Sequence, residues 1–274
     1  MADQIAPTAV AAAGARAQRS EPFEWFARAG FVARGVIYAI VGVLAVELAL
    51  GVGGTTTNQQ GALRAIARQP FGTATLAIVA VALFGYASWR LAHAALGGGP
   101  DSSDSGLERI GALGSGIAYA AIGVLAVEIL AGSASGSGGA PRATAGVLGW
   151  PGGVVLVAIA GFVMLAVAAY QGYRGVTHDF LKDSKTEQMS PAVRRWVKWL
   201  GTVGHLARMV VFGMIGAFLI VSAVDYNPGK AVGLDGALAT LAHGSAGPFL
   251  LGIVAAGLVA FAAYSFSDAG YRRL

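Results

Sequence analysis

Gly42-Val-Leu-Ala-Val-Glu47 recurs letter for letter as Gly123-Val-Leu-Ala-Val-Glu128. The same shift of 81 residues maps Tyr38 onto Tyr119, Gly30 onto Gly111, Gly35 onto Gly116, Pro70 onto Pro151 and Gly72 onto Gly153, with no gap. A whole unit is therefore duplicated, and self-similarity at a fixed period decides the architecture before any single motif does. A third unit is more worn. A shift of 174 carries Gly30, Ala33, Arg34, Tyr38 and Gly42 onto Gly204, Ala207, Arg208, Phe212 and Gly216. A shift of 178 then carries Pro70, Phe71 and Tyr86 onto Pro248, Phe249 and Tyr264, so the third unit has a connection four residues longer.

Composition names the solvent. Charged residues make up 12% of the 274, where ordinary soluble domains carry about a quarter, and hydrophobic residues make up 55%. Apolar runs cover 29–50, 71–96, 110–131, 152–173, 201–224 and 247–266. Each has roughly the 20 residues a helix needs to cross ~30 Å of hydrocarbon. Barrel strands are shorter and alternate, whereas these runs are continuously apolar and rich in Ala and Gly. The expected fold class is thus an all-α integral membrane protein: six transmembrane helices as three tandem two-helix repeats. An even number of spans per unit keeps consecutive units in parallel orientation, and three units suggest a pseudo-threefold arrangement.

The organisation read from the chain is a disordered tail over 1–25, repeats over 26–97, 107–176 and 197–271, and a charged connection over 177–196. The Gly/Ser-rich connections at 97–105 and 131–140 read as flexible. Fifteen of the nineteen Lys and Arg fall on the side of the termini and the 174–198 connection, leaving Arg64, Arg68, Arg142 and Lys230 opposite. The positive-inside rule then places both termini in the cytoplasm. A net charge of +5 fits attraction to anionic headgroups, and the basic residues flank spans instead of forming a nucleic-acid stripe. The first residues lack a basic start and a strong apolar core, so they do not read as a signal peptide. With no cysteine there are no disulfides, thiolate metal sites or cysteine nucleophiles.

Smaller elements follow from local pattern. Residues 61–68 put Leu63, Ile66 and Ala67 on one helical face and Arg64 and Arg68 on another, and Gly236-Ala-Leu reopens the same pattern in the third unit. Short amphipathic helices on the outer surface are expected there, with Pro70, Pro151 and Pro248 starting the even spans, where a missing N–H is tolerated. Ser190-Pro191 followed by Arg194, Arg195, Trp196, Lys198 and Trp199 predicts a short interfacial helix. Gly35 with Gly42, Gly116 with Gly123, and Gly213 with Gly216 mark small faces for close helix packing, with the odd spans expected to meet along them.

The run Ala27-Arg-Ala-Gly-Phe-Val-Ala-Arg-Gly-Val-Ile-Tyr38 with Gly42, and Gly204-His-Leu-Ala-Arg208 with Phe212 and Gly216, resemble the repeat of a bacterial family of six-helix membrane proteins catalogued as a domain of unknown function, number twelve-oh-six. The second unit departs, with Ser115 where the others carry Arg34 and Arg208. The resemblance implies a membrane protein of three units and no activity.

Chemistry has few candidates. Glu47 and Glu128 occupy one repeat position near the outer span ends, and Asp225 lies one helical turn beyond the third equivalent, Val221. Three carboxylates at one level would form an ion or proton site; solvation at the interface explains each of them singly. On the other side, Arg34 or Arg208 with Asp268 forms a possible polar cluster, and Gln171 and Asp268 stand at the position of Arg90. Snorkelling to lipid phosphates is the plainer account of such arginines. His93 and His205 are the metal or haem candidates. No metalloprotease, phosphate-loop or nucleophile-elbow motif occurs. The reading is a non-enzymatic integral component without a cofactor, partnered by the bilayer and by other membrane proteins or a second copy, acting as a scaffold or interaction subunit. The alternative is a small-solute or ion transporter with a central crevice.

Overall fold

The computed structural model describes residues 21–96, 106–133, 139–243 and 246–273. Six long helices carry the apolar runs: α1 (Glu21–Ala49), α3 (Gly72–Leu96), α4 (Gly106–Leu130), α6 (Gly153–Thr177), α7 (Pro191–Val224) and α9 (Gly247–Tyr271). All six are long and apolar enough to cross a membrane, and the described residues form no strand. Lipid offers the backbone no hydrogen-bond partners, so each crossing segment closes its own bonds as a helix. Between the members of each pair of long helices lies a short one: α2 (Gln59–Ala67), α5 (Gly139–Leu148) and α8 (Leu234–Ala242). Every unit therefore reads long helix, short helix, long helix.

The short helices are amphipathic as the pattern requires. α2 buries Ala62, Leu63 and Ile66, and its Asn58 cap accepts from the Gly61 N–H at 3.0 Å. α8 buries Leu234, Ala237 and Leu238. Where each even span begins, a glycine (Gly72, Gly153 or Gly247) is pressed onto the last carbonyls of the preceding short helix, leaving no room for a side chain. Pro248 sits in the first turn of α9; Pro70 and Pro151 fall in the turns just ahead of α3 and α6, not in the helices. The 3₁₀ turns Asp179–Asp183 and Thr186–Gln188 make up the α6–α7 connection.

Two sequence expectations change. No separate interfacial helix forms at Pro191: Ser190 caps it, its hydroxyl accepting from the Val193 N–H at 3.3 Å, and the helix then runs unbroken to Val224. Trp196 and Trp199 stay exposed on its first turns. The expected tail over 1–25 lies outside the described residues up to residue 20, and Glu21–Trp25 already belong to α1. The connections at 97–105 and 134–138 also lie outside them.

The packing follows a cyclic rule. α1 packs on α9, α4 on α3, and α7 on α6, so each unit's first long helix lies against the second long helix of the preceding unit, with the third unit preceding the first. α1 also packs on α3, and α7 on α9, within their own units. Ala27, Phe31, Arg34, Tyr38, Val41 and Ala45 are the buried stripe of α1, spaced alternately four and three residues apart, the spacing of an interhelical seam.

The glycine faces serve these contacts and not contacts among the odd helices. A Cβ at Gly42 would stand 2.7 Å from Val259, one at Gly123 3.1 Å from Phe84, and one at Gly216 2.8 Å from the Gly161 carbonyl. Gly35 and Gly116 face Phe266 and Leu91 of the same partner helices, while Gly213 is looser, 3.9 Å from Ala168. Close approach replaces the hydrophobic drive that lipid removes. Val41, Leu63, Leu83, Leu238, Leu258 and Phe261 are almost wholly buried and belong to one continuous apolar core.

Candidate functional site

The cyclic packing carries a chemical consequence. Arg34, Ser115 and Arg208 share one repeat position, as do Arg90, Gln171 and Asp268. Packing each odd helix on the preceding unit's even helix brings these positions face to face three times. Arg34 donates from Nη2 to Asp268 Oδ2 at 2.8 Å and from Nε to Ser265 Oγ at 3.0 Å. Arg90 donates from Nε to Ser115 Oγ at 2.5 Å. The Gln171 amide, assigned with its oxygen toward Arg208, accepts from Nη1 at 2.8 Å and Nη2 at 3.0 Å. Each joint thus holds one arginine and one acceptor, with charge and neutral partners distributed differently in each unit.

Aromatic rings complete the girdle. Phe261 lies between two guanidiniums, 5.2 Å from that of Arg34 and 4.4 Å from that of Arg208. Arg34 also lies 4.9 Å from the Phe31 ring, and Arg208 lies 5.5 Å from that of Tyr38. Ring faces supply partial negative charge where water is excluded, each such contact being worth about 0.5–2 kcal/mol. Asp268 is 1% exposed and Arg34 8%. A buried charge at this depth persists only when paired in this way.

The girdle continues to the end of α9. Arg272 reaches Asp183 Oδ2 at 3.0 Å and Asp268 Oδ1 at 3.8 Å, and Arg174 of α6 reaches Asp183 Oδ2 at 2.5 Å. Burial pushes the Asp183 carboxyl up, but Arg272 and Arg174 outweigh it and hold it below the ordinary carboxylate range. The backbone locks the same junction. Lys185 N donates to Tyr271 O at 2.7 Å and Arg273 N to Asp183 O at 2.8 Å.

The sequence candidates separate here. Arg34, Arg208 and Asp268 come together around Phe261, but Asp268 pairs with Arg34 and Arg208 takes Gln171. The three outer carboxylates do not form an enclosed level: Glu47 is half-buried, Glu128 exposed, and Asp225, exposed at the end of α7, binds Lys230 at 2.5 Å. His205 is buried, its Nδ1 2.7 Å from the Gly201 carbonyl and its ring stacked on Phe180 with centroids 4.9 Å apart. His93 lies tilted beside Trp89, with ring centroids 6.1 Å apart. Among the described residues no three His, Asp or Glu side chains are grouped to hold a metal. Sequence reading missed Arg174, Asp183 and Arg272 as a linked set. Their signal was weak, because the partners lie on one connection and two helix ends with no shared repeat position.

The repeat match decides the family. Domain of Unknown Function DUF1206 matches the chain three times, over residues 29–104, 110–178 and 203–272. The chain belongs to the DUF1206 family. It is also 32% identical over 260 residues to a protein of Bacillus subtilis (strain 168), Uncharacterized protein YxxB, covering 94% of each chain. No solved structure matches it. The DUF1206 matches include all six girdle positions, so the joints belong to the repeated unit itself.

Proposed function

We propose that this protein is a non-catalytic, non-transporting component of the cytoplasmic membrane, a scaffold or interaction subunit with both termini in the cytoplasm. The observation that supports this is the continuous apolar core: Val41, Leu83, Leu258 and Phe261 of the long helices and Leu63 and Leu238 of the short ones are almost wholly buried in one cluster. A transporter needs a wet path with groups that bind and release its solute. Here Arg34, Arg90 and Arg208 are committed to Asp268, Ser115 and Gln171, and the outer carboxylates are partly or fully exposed. What the girdle offers is a rigid joint between units, the property a membrane scaffold requires.

Two measurements test the proposal. Vesicles containing the purified protein should pass protons, monovalent cations and small solutes no faster than empty vesicles, and measurable flux abolished by Glu47→Gln with Glu128→Gln would replace this reading with transport. Reporter fusions at both ends should report the cytoplasm; an extracytoplasmic C-terminus would overturn the topology.

A further inference from the structure

The α7 helix is longer than a span needs. Its 34 residues run about 51 Å at 1.5 Å per residue, against ~30 Å of hydrocarbon. The apolar run fills 201–224, so residues 191–200 stand at the headgroups or beyond them. Trp196 and Trp199 mark that depth. Both are exposed, and indole rings, apolar in body with one polar N–H, gather where hydrocarbon meets headgroup. At 3.6 residues per turn Pro191, Arg194, Arg195 and Lys198 share the neighbouring face of the helix.

That face borders an open hollow of about 420 Å³, lined by Arg194, Arg195 and Lys198, by Pro191 at the start of the helix, and by Thr186 and Met189 of the α6–α7 connection. Three cations and no acid line it. None of the three forms an ion pair with a described residue, whereas the acids of the same connection are taken: Asp179 by Lys182, Asp183 by Arg174 and Arg272, and Glu187 by Arg273. The acids elsewhere at this end do not reverse the sign. Over the whole sequence, the end bearing the termini has fifteen Lys and Arg against ten Asp and Glu, Asp101, Asp104 and Glu108 among them, and the opposite end has four of each. The entire net charge of +5 therefore lies at the end where the hollow opens.

We propose that this hollow binds the headgroup of one anionic phospholipid, its phosphate held by Arg194, Arg195 and Lys198 with the Thr186 hydroxyl donating, and its acyl chains entering the bilayer beside Trp196 and Trp199. Guanidinium and ammonium groups meet phosphate oxygens in charge-assisted hydrogen bonds. Each basic residue at headgroup depth favours anionic lipid roughly fivefold. Charge and depth together choose the occupant. A second copy apposed through this face presents the same three cations, a zwitterionic lipid brings no net charge to offset them, and a soluble anion gains nothing from the tryptophans. The site rests on the six spans and not on the scaffold reading, so transport by the protein would leave it standing.

The test uses the full chain in neutral detergent, with native mass spectrometry on adding phosphatidylglycerol or phosphatidylcholine. Phosphatidylglycerol should be retained at least tenfold more tightly than phosphatidylcholine. Lys198→Gln should weaken its binding roughly fivefold, and Arg194→Gln with Arg195→Gln and Lys198→Gln roughly a hundredfold. Lys182→Gln, which removes one charge at the same end outside the hollow, and Arg64→Gln at the opposite end should each change it less than about twofold. The single Lys198→Gln, set against Lys182→Gln, decides the matter even if the triple variant fails to fold. Equal retention of the two lipids, unchanged binding in Lys198→Gln, or an equal loss in Lys182→Gln would each overturn the proposal. So would full displacement of phosphatidylglycerol by glycerol phosphate, which would make the ligand a soluble anion, or by polyglutamate, which would make it an acidic protein segment.

Discussion

Replacing Asp268 by Leu should be among the most damaging single changes in this protein. The carboxylate is 1% exposed and accepts from Arg34 at 2.8 Å, with Arg272 at 3.8 Å. Removing it strands a guanidinium whose side chain is 9% exposed. Breaking a buried pair from one side costs about 3–5 kcal/mol, because the surviving charge keeps its desolvation penalty and loses its compensation. Arg34 retains Ser265 and the rings of Phe31 and Phe261, which favours the lower end, about 3 kcal/mol. Asp268→Asn keeps an acceptor and should cost less, about 2 kcal/mol. The double variant Arg34→Met with Asp268→Leu removes both charges and should recover to within about 1–2 kcal/mol of the parent, since a packed apolar pair roughly equals a buried ion pair. Equilibrium unfolding in mixed micelles, run as a double-mutant cycle, measures the coupling directly. If Asp268→Leu stays within about 1 kcal/mol of the parent, or the two single effects add, the girdle is not what joins the units.

Further outcomes follow from the same geometry. Gly216→Leu should destabilise by about 1–3 kcal/mol, because its side chain meets the Gly161 carbonyl and Leu165; Gly111→Ala, with nothing within 4 Å, should be neutral or stabilise by up to about 1 kcal/mol through helix propensity, both read as thermal stability in detergent. Asp183, held below its ordinary range by Arg272 and Arg174, contributes stability that is complete above its unfolded pKa of about 4 and is lost as pH falls through its lower folded value. Amide-exchange protection over residues 178–188, taken relative to the intrinsic rate at each pH, should therefore fall on acidification, and Asp183→Asn should lower it at every pH.

Much of this was readable from residues alone. The duplicated Gly42–Glu47 hexad, the six apolar runs and the amphipathic Leu63 and Ile66 dictated three units of long, short and long helix, because in hydrocarbon a span must satisfy its own backbone and small or polar residues must face protein. The repeat alignment even placed Arg34 with Ser115 and Arg208, and Arg90 with Gln171 and Asp268. What it left open was which of these positions meet. A periodic small face shows that some helix approaches but not which one, so Gly42 read equally well as contacting another odd span. Only the tertiary structure seated each odd helix on the preceding unit's even helix, chose Arg34 over Arg208 for Asp268, joined Arg174 and Arg272 through Asp183, and left α4 and α6 apart. Those outcomes depend on how three similar units with unequal side chains pack into one bundle, a condition on the whole molecule that no local stretch of the chain encodes.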